Sequence, residues 1–167
     1  MQIRPARLAD LDAIMEIQAA CYTAIVPESA TSMGAKLAAS PDTCRVALAP
    51  DGGLLGYLLA LPWTAARPPL LDAEACVLPT APDTLYLHDL AMAPRARGMG
   101  VGQALAHQLL ALADARGLPA HLIAIQNSQS FWARLGFVPA PLTSDLQAKL
   151  ASYGAEACYM TRPRPHR

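Results

Sequence analysis

The feature that most constrains this fold is a glycine-rich turn between a strand-like segment and a helix-like one. Apolar residues predominate from Leu85 to Met92, and Arg97 precedes three glycines at alternate positions, Gly98, Gly100 and Gly102. Glycine lets the backbone approach a ligand closely, and the first N–H groups of a helix have no partner within that helix. Because the helix dipole adds partial positive charge at the same end, the pattern predicts a phosphate or pyrophosphate site.

Two well-known phosphate-binding motifs do not match this turn. A P-loop needs Gly-x4-Gly-Lys followed by Ser or Thr, and the dinucleotide fingerprint needs Gly-x-Gly-x-x-Gly. Counting from Gly98 places Gln103 at the third glycine, and counting from Gly100 places Leu105 there. The motif that fits is Arg-x-x-Gly-x-Gly, which begins at Arg97, and it resembles the coenzyme A pyrophosphate loop of the GNAT superfamily of N-acetyltransferases.

The resemblance extends over nearly the whole chain. The segment from Phe131 to Phe137 is similar to the family signature Phe-Tyr-x-x-x-Gly-Phe, with Trp132 at the tyrosine. Leu87 to Met92 and Leu61 to Trp63 most resemble the arylalkylamine, or serotonin, N-acetyltransferase branch. The resemblance implies one α/β domain over residues 1–167, with helices on both faces of a mixed sheet of about six to seven strands. It also implies acetyl-CoA as co-substrate and a small-molecule amine as acceptor.

Residue periodicity gives a coarse map of secondary structure that agrees with an α/β fold. Apolar spacing predicts helices near 8–21, from Val101 to the stop at Gly117, and over 128–135. Strands are expected at 44–49, 54–61, 86–92, 121–125 and 157–161, the first two as a hairpin around Gly52. The strand at 86–92 is apolar on both sides and should be central. Five prolines between Pro62 and Pro82 predict a long loop, with a short helix near 71–75.

Composition narrows the classes of partner. The 13 Lys and Arg residues balance 13 Asp and Glu residues, so no diffuse positive charge favours nucleic acid. No segment approaches the roughly 20 apolar residues of a membrane span, and the charged N-terminus does not resemble a signal peptide. We therefore expect a cytoplasmic protein, as a monomer or a homodimer. The four cysteines are far apart, which predicts free thiols and no metal site. The basic tail from Arg162 to Arg167 is expected to be a solvated end.

The predicted chemistry is acetyl transfer from a thioester to an amine, which needs a base because a free alkylamine resembles lysine, with a pKa of about 10.4. His88 is the first candidate, since a neutral imidazole accepts protons near pH 7 and the arylalkylamine branch has a catalytic histidine at this position. A histidine beside Asp89 is also compatible with a purely structural ion pair. Asp89 is the second candidate base, because acidic residues occur near this position in other family members. Neighbours on a strand face opposite sides, so the sequence leaves open which of the two faces the cleft.

The resemblance also implies the residues that would bind the cofactor. The oxyanion donor would be a backbone N–H near the end of the central strand, where the family's fourth strand separates from the fifth and the pantetheine arm pairs with its edge. Asn127 follows the fifth strand and would bind the cofactor or cap the next helix, and Phe131 would be either cofactor wall or core. The predicted cofactor-binding residues are Leu90, Ala91, Met92, Arg97, Gly98, Met99, Gly100, Val101, Gly102, Gln103, Asn127 and Phe131.

The general acid is where the sequence departs from the family pattern. Trp132 occupies the position of the family's tyrosine, and an indole N–H cannot protonate a thiolate at useful pH. Tyr153 and Tyr22 are the candidate replacements, and each is also compatible with a packing role. A thiolate is a good leaving group, so the reaction is also compatible with no dedicated acid. Trp63 would line an apolar acceptor pocket or pack at a strand end.

Overall fold

The structure is a computed structural model that describes residues 1–23, 25–65 and 67–164. Its helices are α1 (Leu11–Cys21), α2 (Ala30–Ala39), α3 (Val101–Arg116), α4 (Gln129–Ala133) and α5 (Ser144–Ala151). Its strands are β1 (Gln2–Pro5), β2 (Arg45–Leu48), β3 (Leu54–Trp63), β4 (Thr84–Met92), β5 (Ala120–Ala124), β6 (Val138–Pro139) and β7 (Cys158–Arg162). The strands within the described ranges form one sheet in the order β1-β2-β3-β4-β5-β7-β6.

The sheet is mixed, and its only parallel pair among the described strands is β4 with β5. A parallel pair needs a crossover, and α3 provides it. β4 is the fourth of seven strands, which confirms that the apolar segment ending at Met92 is central. The predicted hairpin around Gly52 is also confirmed, as β2 and β3 are antiparallel neighbours. The four cysteines are free, and Cys44 is fully buried.

Helices cover both faces of the sheet, and two adjacent residues of β3 show this directly. A Cβ at Gly56 would lie 3.2 Å from the Val101 side chain of α3. Tyr57 points the other way, because successive side chains of a strand alternate, and its hydroxyl donates to Asp89, which also binds Tyr22 at the end of α1. The predicted fold class, an α/β domain with helices on both faces of a mixed sheet, is therefore confirmed.

The prediction of a short helix near residues 71–75 is wrong. Asp72 has a left-handed backbone with φ of 53°, and it is used at a contact between loops. Its carboxylate accepts from the Ser29 N–H at 2.7 Å, and its own N–H donates to Glu28 at 3.1 Å. A helix through this segment would break both hydrogen bonds.

Two further boundaries differ from the predicted map. β3 continues through Pro62, which pairs with Leu85 of β4, although a loop was predicted to begin there. Proline is tolerated because β2 pairs with β3 only as far as Leu58, so the other edge of β3 is unpaired at Pro62. At the C-terminus, Arg162 belongs to β7 and forms an ion pair with Asp114 at 2.7 Å, so it is not part of a solvated tail. Residues 165–167 of that tail lie outside the described residues.

Candidate active site

The candidate site is a gap between the two central strands. β4 and β5 pair at only three positions, from Leu85 with Ala120 to Leu87 with Leu122, whereas β4 continues to Met92. The edge of β4 beyond Leu87 is therefore open on the β5 side. A cavity of about 380 Å³ lies here. It is lined by Leu87–Met92 of β4, by Cys21 and Tyr22, by Arg97, and by Ile123, Ile125, Gln126, Ser128, Phe131 and Trp132.

The glycine turn lies beside the end of β4, and its glycines serve two different purposes. Gly98 and Gly100 have φ of 77° and 74°, and a Cβ at either would meet no heavy atom within 4 Å. They shape the turn and leave open space above it. Gly102 is needed for packing, because a Cβ there would lie 2.9 Å from the Met92 sulfur. The unpaired N–H groups of the first turn of α3 therefore begin close beside the end of β4.

A β-bulge at His88 determines how the two candidate bases are placed. Asp89 pairs with Leu59 and Leu87 pairs with Ala60, so His88 is the extra residue on β4. A bulge re-aims side chains that would otherwise alternate, and both His88 and Asp89 line the 380 Å³ cavity. The question left open by strand alternation therefore has a simple answer, since both residues face the cleft. The imidazole of His88 is only 3% exposed.

His88 is held by a buried carboxylate. Its Nε2 forms a hydrogen bond with Oε1 of Glu28, which lies just before α2. The other carboxylate oxygen of Glu28 accepts from Lys36 Nζ at 2.7 Å, Ser32 Oγ at 2.8 Å and the Asp72 N–H at 3.1 Å. Burial opposes ionisation of Glu28, but the hydrogen bonds from His88 and Lys36 and the charge of Lys36 favour it and hold the pKa of Glu28 well below the usual range.

Asp89 lies between two phenols. The Tyr22 hydroxyl donates to Oδ1, and the Tyr57 hydroxyl donates to Oδ2 at 2.6 Å. Burial raises the pKa of Asp89, although both hydrogen bonds act in the opposite direction. Burial and the charge of Asp89 raise the pKa values of Tyr22 and Tyr57. Both oxygens of Asp89 are occupied, which leaves His88 as the candidate with a nitrogen free of any described partner.

A second cavity, of about 60 Å³, adjoins the first. Tyr22, His88, Asp89 and Ile125 line both cavities, so the two spaces meet at the candidate bases. Most of the remaining lining is apolar: Ile25, Val26, Pro27 and Leu71, with Gln18, Glu28 and Tyr153. Tyr153 therefore faces the smaller cavity, and burial raises its pKa.

The aromatic residues after β5 divide between core and cleft. Trp132 is 5% exposed and stacks edge-on against Phe131 and Phe137, at centroid distances of 4.9 and 5.4 Å. Phe131 and Trp132 also line the larger cavity. Trp63 instead packs against a separate cluster that contains Tyr86 and donates to the Arg67 carbonyl at 2.6 Å.

Asn127 does not cap the following helix. It has a left-handed backbone with φ of 58°, its side chain is exposed, and the residue at the N-cap of α4 is Ser128. Gln126 and Ser128, its neighbours in sequence, line the larger cavity. The tight turn after β5 therefore presents its flanking residues to the cleft.

Sequence reasoning missed the group formed by Glu28, Ser32 and Lys36. The three residues lie four apart, which is the spacing that places side chains on one helical face. That spacing could have predicted the group, but polar residues on a helix are normally assigned to the face in contact with solvent. Here Ser32 and Lys36 are 0% and 2% exposed. Because this buried face of α2 is polar, the spacing of apolar residues does not predict the helix.

The described residues contain neither a metal-binding cluster nor a helix that could cross a membrane. No group of three or more His, Cys, Asp or Glu side chains within residues 1–23, 25–65 and 67–164 is arranged to hold a metal ion. None of the helices in this part of the chain is both long enough and apolar enough to cross a membrane.

Comparison with known proteins assigns a family. The model of the acetyltransferase (GNAT) family matches residues 11–137. No curated protein matches the sequence. Among solved structures, the GNAT-like decarboxylase GphF in complex with isobutyryl-CoA is 19% identical, with a TM-score of 0.76 over 98% of this chain and 99% of that one. Ard1 from Thermoplasma volcanium is 18% identical, with a TM-score of 0.73 over 99% and 98%. A Mycobacterium tuberculosis protein in complex with CoA and NLQ is 17% identical, with a TM-score of 0.71 over 99% and 100%.

Proposed function

Because the chain belongs to the acetyltransferase (GNAT) family, we propose that residues 1–167 form a single N-acetyltransferase domain that transfers the acetyl group of acetyl-CoA directly to a primary amine of a small molecule. One observation carries this proposal. A large cavity along an open strand edge and a small, mostly apolar cavity meet at His88. Direct transfer needs this arrangement, because both substrates must be bound at once with a base between them.

Acetyl-CoA would occupy the larger cavity. Its pyrophosphate would bind the N–H groups between Gly98 and Gln103, apart from that of Met99, which donates to the Ala96 carbonyl at 3.2 Å. Arg97, which lines the cavity, would add a positive charge. Its pantetheine amides would pair with the open edge of β4 at Leu90, Ala91 and Met92, and Phe131 would form part of the wall. GphF and the M. tuberculosis protein were solved with isobutyryl-CoA and with CoA, which supports this choice of co-substrate.

His88 would act as the general base. As the amine nitrogen bonds to the thioester carbon, it loses a proton to the imidazole, and a backbone N–H of β4 stabilises the oxyanion. The tetrahedral intermediate then expels the coenzyme A thiolate. The thiolate leaves readily, so we propose that no dedicated acid replaces the family tyrosine at Trp132 and that Tyr153 only packs against the smaller cavity.

The acceptor would bind in the smaller cavity. Its apolar lining by Ile25, Val26, Pro27 and Leu71 favours an amine with an apolar substituent, and a cavity of about 60 Å³ can enclose only the amine end of such a molecule. An amino acid, a peptide N-terminus or a drug remains the alternative acceptor class. Cytoplasmic location and a homodimer stay predictions.

Turnover tests this function. We expect purified protein to release free thiol from acetyl-CoA when mixed with members of a panel of primary amines, and His88→Ala to lower that turnover by about a hundredfold or more. The loss should be greater at pH 7 than at pH 9, where more of the amine is already neutral. His107→Ala is the matched control, because this histidine is exposed on α3.

Two outcomes would contradict the proposal. Binding of acetyl-CoA with no thiol release above background hydrolysis, for any amine, would indicate a non-catalytic acyl-CoA-binding module. An equal loss of turnover at every pH in His88→Ala, together with weaker folding, would assign His88 a structural role only.

A further inference from the structure

Several hydrogen bonds hold both the backbone and the carboxylate of Glu28, in addition to the one with His88. Its backbone is held by the Gln18 side chain, which donates to the Glu28 carbonyl at 2.9 Å and accepts from the Glu28 N–H at 3.2 Å. One carboxylate oxygen is used by Lys36, Ser32 and the Asp72 N–H, and the other is reserved for the imidazole. The carboxylate therefore cannot rotate without breaking several buried hydrogen bonds.

This geometry determines the tautomer of His88. An ionised carboxylate can only accept hydrogen bonds, so the proton between the two groups belongs to Nε2 of His88. The lone pair is then on Nδ1, which has no hydrogen-bond partner among the described residues. A histidine with its proton fixed on one nitrogen presents the other as a base.

Lys36 balances the charge of the group. A carboxylate alone at hydrogen-bond distance would favour the protonated imidazolium, which cannot act as a base. Lys36 is 2% exposed and its ammonium lies 2.7 Å from Glu28, so the pair is already neutral when the imidazole is neutral. The other titratable groups near His88 are Asp89, Tyr22, Tyr86 and Tyr153.

We propose that Glu28 is a positioning residue that holds His88 with its proton on Nε2 and its lone pair on Nδ1, and that Lys36 acts through Glu28 to keep the imidazole uncharged. The catalytic part of this proposal rests on the function proposed above. In the reaction, the acceptor nitrogen bonds to the carbonyl carbon, and its proton passes to Nδ1. Glu28 keeps its charge throughout and stabilises the imidazolium that forms.

Nitrogen NMR of histidine rings tests the positioning without any substrate. The His88 signals are identified by their loss in His88→Ala. In the wild-type protein above pH 8 we expect the proton on Nε2, and in Glu28→Gln a mixture of both tautomers. A wild-type imidazole with its proton on Nδ1 would overturn the proposal even if Glu28→Gln does not fold, and this readout stands whether or not the protein turns over an amine.

The pH dependence of kcat/KM tests the charge balance. In Glu28→Gln we expect the acidic limb to move to lower pH by about one unit or more, because a negative charge beside the base is lost. In Lys36→Met it should move to higher pH, because the carboxylate is no longer balanced. Glu28→Gln should also lower kcat by about tenfold or more; the same change at the carboxylate that orients a serine-protease histidine costs about 10⁴-fold.

Ser32→Ala is the matched control. Ser32 Oγ donates to the same oxygen of Glu28 at 2.8 Å and accepts from Lys36 Nζ at 2.6 Å. The change removes these two hydrogen bonds but no charge, so it should weaken folding without moving the acidic limb. If all three variants lower stability and leave the acidic limb where it is, the group is only structural and the proposal fails. A wild-type protein that shows the Nε2 tautomer but releases no thiol would refute the proposed function and leave the positioning by Glu28 intact.

Discussion

Replacing Gly100 by valine should separate folding from cofactor binding. In the free protein, a Cβ at Gly100 meets nothing within 4 Å, so the substitution costs only the strain of a left-handed backbone at φ of 74°. That strain is about 1–2 kcal/mol. A domain of this size loses about 2–4 °C of Tm per kcal/mol, so the variant should melt about 2–8 °C lower and still fold.

The effect on ligand binding should be larger. Acetyl-CoA at a hundredfold excess over its Kd stabilises the folded state by about 2.7 kcal/mol, which corresponds to about 5–11 °C for this chain length. In Gly100→Val the new side chain occupies the open space above the turn, where the pyrophosphate would bind. We therefore expect most of the shift measured for the wild type to disappear.

Gly117→Val provides the matched control in the same helix. Gly117 follows the other end of α3, has φ of 64°, and would also place a Cβ in open space. It should lower Tm by a similar amount and keep the full shift with acetyl-CoA. The assay is thermal denaturation of the three proteins with and without acetyl-CoA, after calorimetry has given the wild-type Kd. A full ligand-induced shift in a folded Gly100→Val protein would refute the assignment of this turn to the pyrophosphate.

Two other predictions follow from residues outside the turn. If the thiolate leaves without an acid, Tyr153→Phe should change turnover, measured as thiol release, by no more than a few fold, and Trp132→Tyr should raise it only slightly. A loss of about a hundredfold in Tyr153→Phe would show instead that Tyr153 is the general acid. Arg4 binds both oxygens of Asp10 at 2.7 Å, and this hydrogen bonding, opposed by burial, lowers the pKa of that carboxyl. The stabilisation is present above the unfolded pKa of about 3.9 and is lost as pH falls through the lower folded value. Asp10→Asn should therefore lower the free energy of unfolding by about 1–3 kcal/mol at pH 7. Urea titrations should show that the difference between the two proteins becomes smaller below about pH 4. A constant difference down to pH 2 would contradict the role of the charge.

The glycine turn was predictable because the local backbone conformation requires glycine at these positions. Gly98 and Gly100 have the left-handed backbone expected of a tight turn, and Gly102 lies against Met92 because no larger residue fits. Local rules of this kind operate within a few residues of sequence. The family assignment that rests on this turn is confirmed, whereas the arylalkylamine branch stays a prediction.

The residues that surround His88 could not be predicted from local sequence patterns. Glu28 contacts it across 60 residues of sequence, and Tyr22 contacts Asp89 across 67. Such pairs depend on how α1 and α2 pack on the sheet, which no local pattern records. The bulge that turns both His88 and Asp89 toward the cleft depends likewise on the register between β3 and β4.

The position of the open edge of β4 limits what can pair with it. A free strand edge normally invites pairing with a strand of another molecule. Here the free edge lies inside the sheet, in a gap that the three pairs from Leu85 to Leu87 close at one end. A strand of another sheet has neighbouring strands about 4.8 Å away on either side. If such a strand paired with the open edge of β4, its next neighbour would overlap β5. The gap thus admits single linear molecules and excludes the sheets of other proteins.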